Sequence, residues 1–281
     1  MRVATIRMDG RIGLAVSSGG AFHARLEGEL GYPGSLAELL RDGSDLAALG
    51  HQGWPELDLA AAELLPPLAN PGKILCIGLN YADHIAETGH TAPTYPEVFA
   101  RFSSTLIGHG APLRRPDAST QLDFEGELAV VIGRGGRHIS TAAALDHVAG
   151  YSIFNDATLR DYQFKTRQWT MGKNFDGTGA FGPVLVTPDE LPAGAKGLRL
   201  RTRLNGVVMQ DSHTGHLAFD VAALISLLSE VMTLAPGDVI VTGTPSGVGF
   251  TRKPPVFMQP GDVCEIELEG VGLLRNPVIA G

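Results

Sequence analysis

The stretch Leu122-Asp123-Phe124-Glu125-Gly126-Glu127-Leu128-Ala129-Val130-Val131-Ile132-Gly133 constrains this chain more than any other. Leu128 to Ile132 is an unbroken apolar run closed by glycine, the pattern of a buried strand. Glu125 and Glu127 stand two residues apart, so on a strand both carboxylates point to one face. Two bare carboxylates side by side repel, and burying either one unpaired is costly. A positive group therefore belongs between them. Asp156 ends a second strand-like run, Gly150 to Asp156, and offers a third acid. Three carboxylates with room left for water suit a hard cation, Mg2+ or Mn2+. The same spacing also fits a solvated acidic edge, or carboxylates paired with Arg134 and Arg160. Spacing alone does not choose between them.

The rest of the chain limits what such a site can serve. Its 281 residues have room for one large domain, or a catalytic domain and a smaller module, with a substantial core. Hydrophobic residues at 44% and charged residues at 19% describe a globular chain, not a disordered one. A formal charge of -8 argues against a non-specific binder of nucleic acid or of an anionic membrane. Cys76 and Cys264 form no CxxC, so neither a disulfide framework nor a zinc knuckle is expected. The opening residues lack the apolar stretch of a signal peptide, and no segment has the apolar length of a membrane span. The expectation is a soluble, cytoplasmic protein whose partner is a small molecule.

Val3 to Ile6 and Ile12 to Val16 flank Asp9-Gly10, a hairpin turn signal. Ser35 with Glu38 forms a capping box that opens a helix from Leu36 to Arg41, and a second helical piece is expected over Asp45 to Leu49. Pro66-Pro67-Leu68-Ala69-Asn70-Pro71-Gly72 reads as a linker, because three prolines break any continuing helix. The division this predicts is a small module over residues 1–70 and a catalytic domain over 71–281. Nothing before the linker combines a nucleophile, a base and a ligand.

Beyond it, Lys73 to Leu79 is a strand running into Asn80-Tyr81-Ala82-Asp83-His84-Ile85-Ala86-Glu87. On a helix His84 and Glu87 share a face, and a carboxylate on imidazole makes it a better base. The pair is common on exposed helices without any role. Thr88 to Pro96 has the composition of a mobile loop, so this helix fits a lid. Ser140 is placed as the cap of a helix reaching Val148. Arg160 and Gln163 share a helical face close to the expected cation. Lys173, in a glycine-rich context, fits a solvated charge or a fixed cation facing a substrate carboxylate.

Toward the C-terminus, Asn205-Gly206 centres a hairpin over Leu198 to Val208. Asp220 caps a helix over Val221 to Leu234 whose apolar stripe belongs to the core. His213 and His216 suggest a second metal, but a surface loop fits them better. Thr242-Gly243-Thr244-Pro245-Ser246-Gly247-Val248-Gly249 lacks the Gly-Lys-Ser/Thr ending of a phosphate loop. A last hairpin joins Val263 to Leu268 with Gly272 to Leu274. Strands outnumber helices, and an α+β domain with a rolled, mixed sheet fits them.

Taken together, these pieces resemble the fumarylacetoacetate hydrolase family. The matching residues are Gly78-Leu79-Asn80-Tyr81 with His84 and Glu87, the Glu125 to Gly133 strand, Asn155-Asp156, and Arg160-Asp161 with Gln163. They continue through Gln168-Trp169-Thr170, Lys173, Phe175-Asp176, Gly182-Pro183, Gly237 to Ile240 and Thr242 to Gly249. They cover nearly everything after the linker. The resemblance implies a β-roll and a homodimer. It implies Glu125, Glu127 and Asp156 as ligands of Mg2+ or Mn2+, and His84 with Glu87 as a water-activating pair on a lid. It further implies Arg160, Gln163, Lys173 and Thr244 as the groups that hold an oxo acid and its developing oxyanion. The founding enzymes carry a fourth carboxylate near the position occupied here by Asn80. That departure places the chain with a three-carboxylate branch of acylpyruvate hydrolases, hydratase-like enzymes, isomerases and oxaloacetate decarboxylases.

The expected reaction is hydrolysis of a carbon–carbon bond in a 2,4-dioxo acid, releasing pyruvate and a carboxylic acid. His84 would take a proton from water as it attacks the distal carbonyl. Lys173, Gln163 or Thr244 would face the resulting oxyanion. Trp169, Tyr162, Phe181 and the loop from Thr88 to Pro96 are candidates for reading the distal acyl group. The same site also suits isomerisation of a 2-hydroxy-dienedioate or decarboxylation of oxaloacetate. A metal-dependent binding protein without catalysis is the reading from another class; it has no need of the His-Glu pair.

Overall fold

The computed structural model describes residues 1–83 and 94–281. His84, Glu87 and residues 88–93 of the expected loop therefore lie outside the described residues.

Local signals act where they were read. Arg2–Met8 and Arg11–Ser17 pair across Asp9 and Gly10, with Met8 opposite Arg11. Ser35 Oγ accepts from the Glu38 N–H at 3.3 Å, and Glu38 Oε2 accepts from the Ser35 N–H at 2.8 Å, closing the capping box on Leu36–Arg41.

Among the described residues, twelve strands form one mixed sheet. Its centre runs Arg2–Met8, Gly179–Val186, Val148–Asp156, Gly126–Ile132, Val239–Val241, Ile74–Gly78, Glu97–Arg101. Most neighbours are antiparallel, but Val239–Val241 runs parallel to Ile74–Gly78. The segment before the proline-rich stretch shares this sheet, with Arg2 opposite Val186. A five-stranded sheet, built on Arg199–Leu204, Val263–Leu268 and Gly272–Ala280, packs against it. Large mixed sheets with few helices make the fold α+β, as expected.

Gly126–Ile132 is buried along its whole length. Its residues alternate between two cores. Leu128, Val130 and Ile132 face a cluster shared with Leu200 and Ile266 of the second sheet. Ala129 and Val131 face a cluster with Leu36, Leu39 and Leu40 of the capped helix. A strand covered on both sides needs apolar residues at every position, which explains its unbroken run.

Of three helical expectations, the short piece at Asp45 holds and the other two are adjusted. The second piece is a single 3-10 turn, Leu46–Ala48, with Asp45 as its cap. Thr141–His147 is 3-10 rather than α, and Ser140 makes no capping hydrogen bond. The Asp220-capped helix stops at Val231 because Met232 turns to φ -140°, ψ 153°, three residues before Leu234.

Candidate active site

Strand register assembles the acids. Gly126 lies opposite Asn155, and the Asp156 N–H donates to the Glu125 carbonyl at 2.9 Å, so Asp156 and Glu125 are cross-strand neighbours. Glu127 is two residues along the same strand. One oxygen from each of Glu125, Glu127 and Asp156 falls within 4.8 Å of the others, and all three residues are buried. Among the described residues this is the one such group of three; the His213 and His216 rings lie tilted with centroids 3.6 Å apart and are not part of another.

Each carboxylate has its own holder. Asp156 Oδ1 accepts from Arg101 Nη1, and its Oδ2 lies 2.5 Å from Lys173 Nζ. Glu125 is shared by Lys173 Nζ and Arg160 Nη2, each at 2.6 Å. The ion pairing expected as an alternative to metal thus exists at Arg160 alongside the cluster, whereas Arg134 meets His147 instead. Glu127 accepts from the Gly243 main-chain N–H. Gly243 has φ 103°, a conformation that favours glycine, so the Thr242 to Gly249 loop serves to hold a carboxylate. Asn80 spans two loops by donating to the Phe219 and Thr242 carbonyls at 3.0 and 2.8 Å.

The electrostatics test whether a cation fits. Asp123, Glu125, Glu127 and Asp156 supply four buried carboxylates; Arg101, Arg160 and Lys173 supply three buried cations. One negative charge is left over. Burial first, then Asp156 and Glu125, pushes the Glu127 carboxyl well above its usual range. Burial alone would lower Lys173, but Asp156 and Glu125 outweigh it and hold the ammonium above its ordinary value. Three hard oxygen donors, one of them strained for want of positive charge, fit a divalent cation of the Mg2+ or Mn2+ kind. With such an ion the set carries one net positive charge, which the carboxylate of an oxo acid would neutralise.

A cavity of about 90 Å³ opens over these groups. Glu125, Glu127, Asp156, Arg160, Gln163, Lys173 and Thr244 line its polar side. Ile77, Leu79, Phe99, Phe164, Trp169 and Phe250 line the other. Of the expected acyl-pocket residues among the described ones, only Trp169 is there, and residues 88–93 of the expected loop lie outside the described residues. Phe181 is corrected to the core, tilted against Phe154 at 5.8 Å, and Tyr162 stands edge-on to Phe175 at 5.0 Å. Gln163 Oε1 accepts from Arg160 Nη1 at 2.9 Å, which leaves the Gln163 NH2 for a ligand. Thr244 Oγ1 donates to the Gly126 carbonyl at 3.0 Å, committing its proton to the strand.

Arg101, Asp123, Phe99 and Phe250 were not singled out from the sequence. An arginine inside Val98-Phe99-Ala100-Arg101-Phe102, a strand-like run, is the signal that Arg101 must find a buried acid. Asp123 stood within the acidic stretch and differs from a surface acid only in three dimensions.

Comparison with known proteins follows the geometry. Residues 73–279 match the family described as Fumarylacetoacetate (FAA) hydrolase C-terminal. The chain is 40% identical over 275 residues to oxaloacetate tautomerase fahd2, mitochondrial, from Xenopus laevis, covering 96% of this chain and 86% of that protein. Among solved structures, a fumarylacetoacetate hydrolase from Exiguobacterium antarcticum superimposes with a TM-score of 0.90 at 38% identity, covering both chains fully. A 2-hydroxyhepta-2,4-diene-1,7-dioate isomerase from Mycobacterium marinum gives a TM-score of 0.79 at 34% identity, covering 100% of this chain and 98% of that one. No helix among the described residues is long and apolar enough to cross a membrane. Matched over most of its length in sequence and throughout in fold, the chain belongs to the fumarylacetoacetate hydrolase family.

Proposed function

We infer that this protein is a divalent-cation-dependent enzyme that interconverts the keto and enol forms of a short 2-oxo acid, with oxaloacetate the first candidate. The observation that carries this reading is the 40% identity, across 96% of the chain, to a relative named an oxaloacetate tautomerase. The likeness to a hydroxyheptadienedioate isomerase points the same way, because both named reactions move a proton through an enol. Tautomerisation therefore displaces hydrolysis as the favoured reaction.

Glu125, Glu127 and Asp156 would hold a divalent cation, whose Lewis acidity would lower the cost of enolate charge. The Gln163 NH2 holds the substrate carboxylate. The role of base on the C3 proton falls to His84 with Glu87, as the family resemblance implies, and negative charge gathers on the 2-oxygen. Lys173 faces that charge as a fixed ammonium. Return of the same proton to the oxygen completes the enol, so nothing is gained or lost. Phe99, Trp169 and Phe250 exclude water, which would otherwise screen these charges.

The test follows enol-oxaloacetate by its ultraviolet absorbance with Mg2+, with Mn2+ and with chelator. A second assay couples pyruvate release to lactate dehydrogenase. Metal-dependent decay of the enol signal without pyruvate supports tautomerisation. Pyruvate from oxaloacetate would make the protein a decarboxylase. Pyruvate from an acylpyruvate, with the enol untouched, would return it to the hydrolases.

A further inference from the structure

Asp123 takes no part in the reaction above, yet it is 0% exposed and lies beside the cavity. Its Oδ1 accepts from the main-chain N–H groups of Gly249 at 2.7 Å and Phe124 at 2.9 Å. Its Oδ2 accepts from Arg160 Nε at 2.9 Å and the Phe250 N–H at 3.0 Å. Two oxygens meet four donors, so the acceptor capacity of the carboxylate is fully used. The Arg160 guanidinium lies 4.3 Å above the centroid of the Phe250 ring. Its remaining nitrogens reach Gln163 Oε1 at 2.9 Å and Glu125 Oε1 at 2.6 Å. Asp123 thus grips both the edge of the guanidinium and the main chain that puts an aromatic face beneath it.

We propose that Asp123 is a positioning residue: by locking Arg160 to the 249–250 main chain, it fixes how Glu125 and Gln163 face the cavity. This rests on the reading of that cavity as an oxo-acid site, but not on which oxo acid it takes. The Arg160 position accounts for a guanidinium that is spent on neighbours, and makes it a support for Glu125 before it is a contact for substrate. A carboxylate is required at position 123. An asparagine there offers one oxygen, so its NH2 would face two N–H donors and the four-way junction would open.

The experiment is Asp123→Asn, read by crystal structure and by kinetics at saturating Mn2+. The guanidinium is expected to leave the Phe250 ring and lose Glu125 Oε1. The kcat for enol-oxaloacetate is expected to fall about 10–100-fold, the usual effect of removing a group that orients a ligating residue, with KM moving less. Arg160 and Glu125 unmoved in the variant crystal, or kcat within twofold of the parent, overturns the proposal. If no oxo acid is turned over even by the parent, the functional reading fails while the crystal still decides the role of Asp123. If Asp123→Asn does not fold, Arg160→Lys carries the test, because one amine cannot span Asp123, Gln163 and Glu125. The same fall in kcat at a parental melting temperature is then expected, and an unchanged kcat overturns the proposal.

Discussion

Lys173 Nζ stands 2.6 Å from Glu125 Oε2, so a fixed ammonium already shares a carboxylate that a divalent cation also needs. The proposed divalent cation would share that anion with Lys173, and the carboxylate of the proposed substrate would balance the pair.

Lys173→Met separates these roles. Turnover is expected to fall by on the order of 100-fold or more, as when a preorganised oxyanion partner is removed. Mn2+ is expected to bind at least as tightly, because a neighbouring positive charge is gone. Calorimetric titration and steady-state kinetics on one preparation check both. Turnover within threefold of the parent would mean that Lys173 faces no developing charge.

Glu127 makes the metal-free protein sensitive to pH. Its folded carboxyl is raised above the ordinary 4.5, chiefly by burial and then by Asp156 and Glu125. The folded state therefore holds a proton that the unfolded state has already released. Stability from this group is fully present below the ordinary value and is lost as pH rises toward the folded one. In chelator, the melting temperature is expected to decline with rising pH from about 5 upward. Glu127→Gln should flatten that slope, and so should saturating Mn2+. Thermal melts at several pH values, with and without metal, decide the point.

Arg101→Met leaves Asp156 with Lys173 as its remaining buried cation, one that Glu125 already shares. A loss of about 3 kcal/mol is expected, since Asp156 Oδ1 stays buried without the guanidinium that held it. Urea denaturation in chelator measures it. A loss under about 1 kcal/mol would put the pair among those of surface value.

Gly78 is packed against the cavity wall. A Cβ there would sit 2.3 Å from Trp169 Cζ3, so an alanine must displace the indole. Because Trp169 lines the cavity, Gly78→Ala is expected to lower kcat/KM about tenfold or more, as small misplacements near a reacting centre do. Kinetics on enol-oxaloacetate against the parent provide the check. An unchanged kcat/KM would show that the indole wall does not touch substrate.

The acid cluster was legible because its geometry is local: two glutamates at strand period and an aspartate ending the antiparallel neighbour. Hairpins at Asp9-Gly10 and Asn205-Gly206 and the Ser35 capping box were legible for the same reason. What escaped came from distance along the chain. Arg101 is 55 positions from Asp156, and Asp123 is 127 from Phe250. No periodicity joins such residues. Phe181 misled because nearness to the site in sequence says nothing about which face of a strand points inward. Its position opposite Phe154 in the register sends it to the core. The helix after Asp220 is expected to reach Leu234, but the chain turns extended at Met232.

The pairing of Arg2 with Val186, 184 positions later, has a consequence for synthesis. At about 5–20 residues per second, the first strand leaves the ribosome roughly 9–37 seconds before its neighbour exists. During that interval the early hairpin presents an open edge, a template for pairing with other chains. Nascent molecules should thus depend on chaperone capacity until translation has passed Val186, while the finished sheet no longer offers that edge.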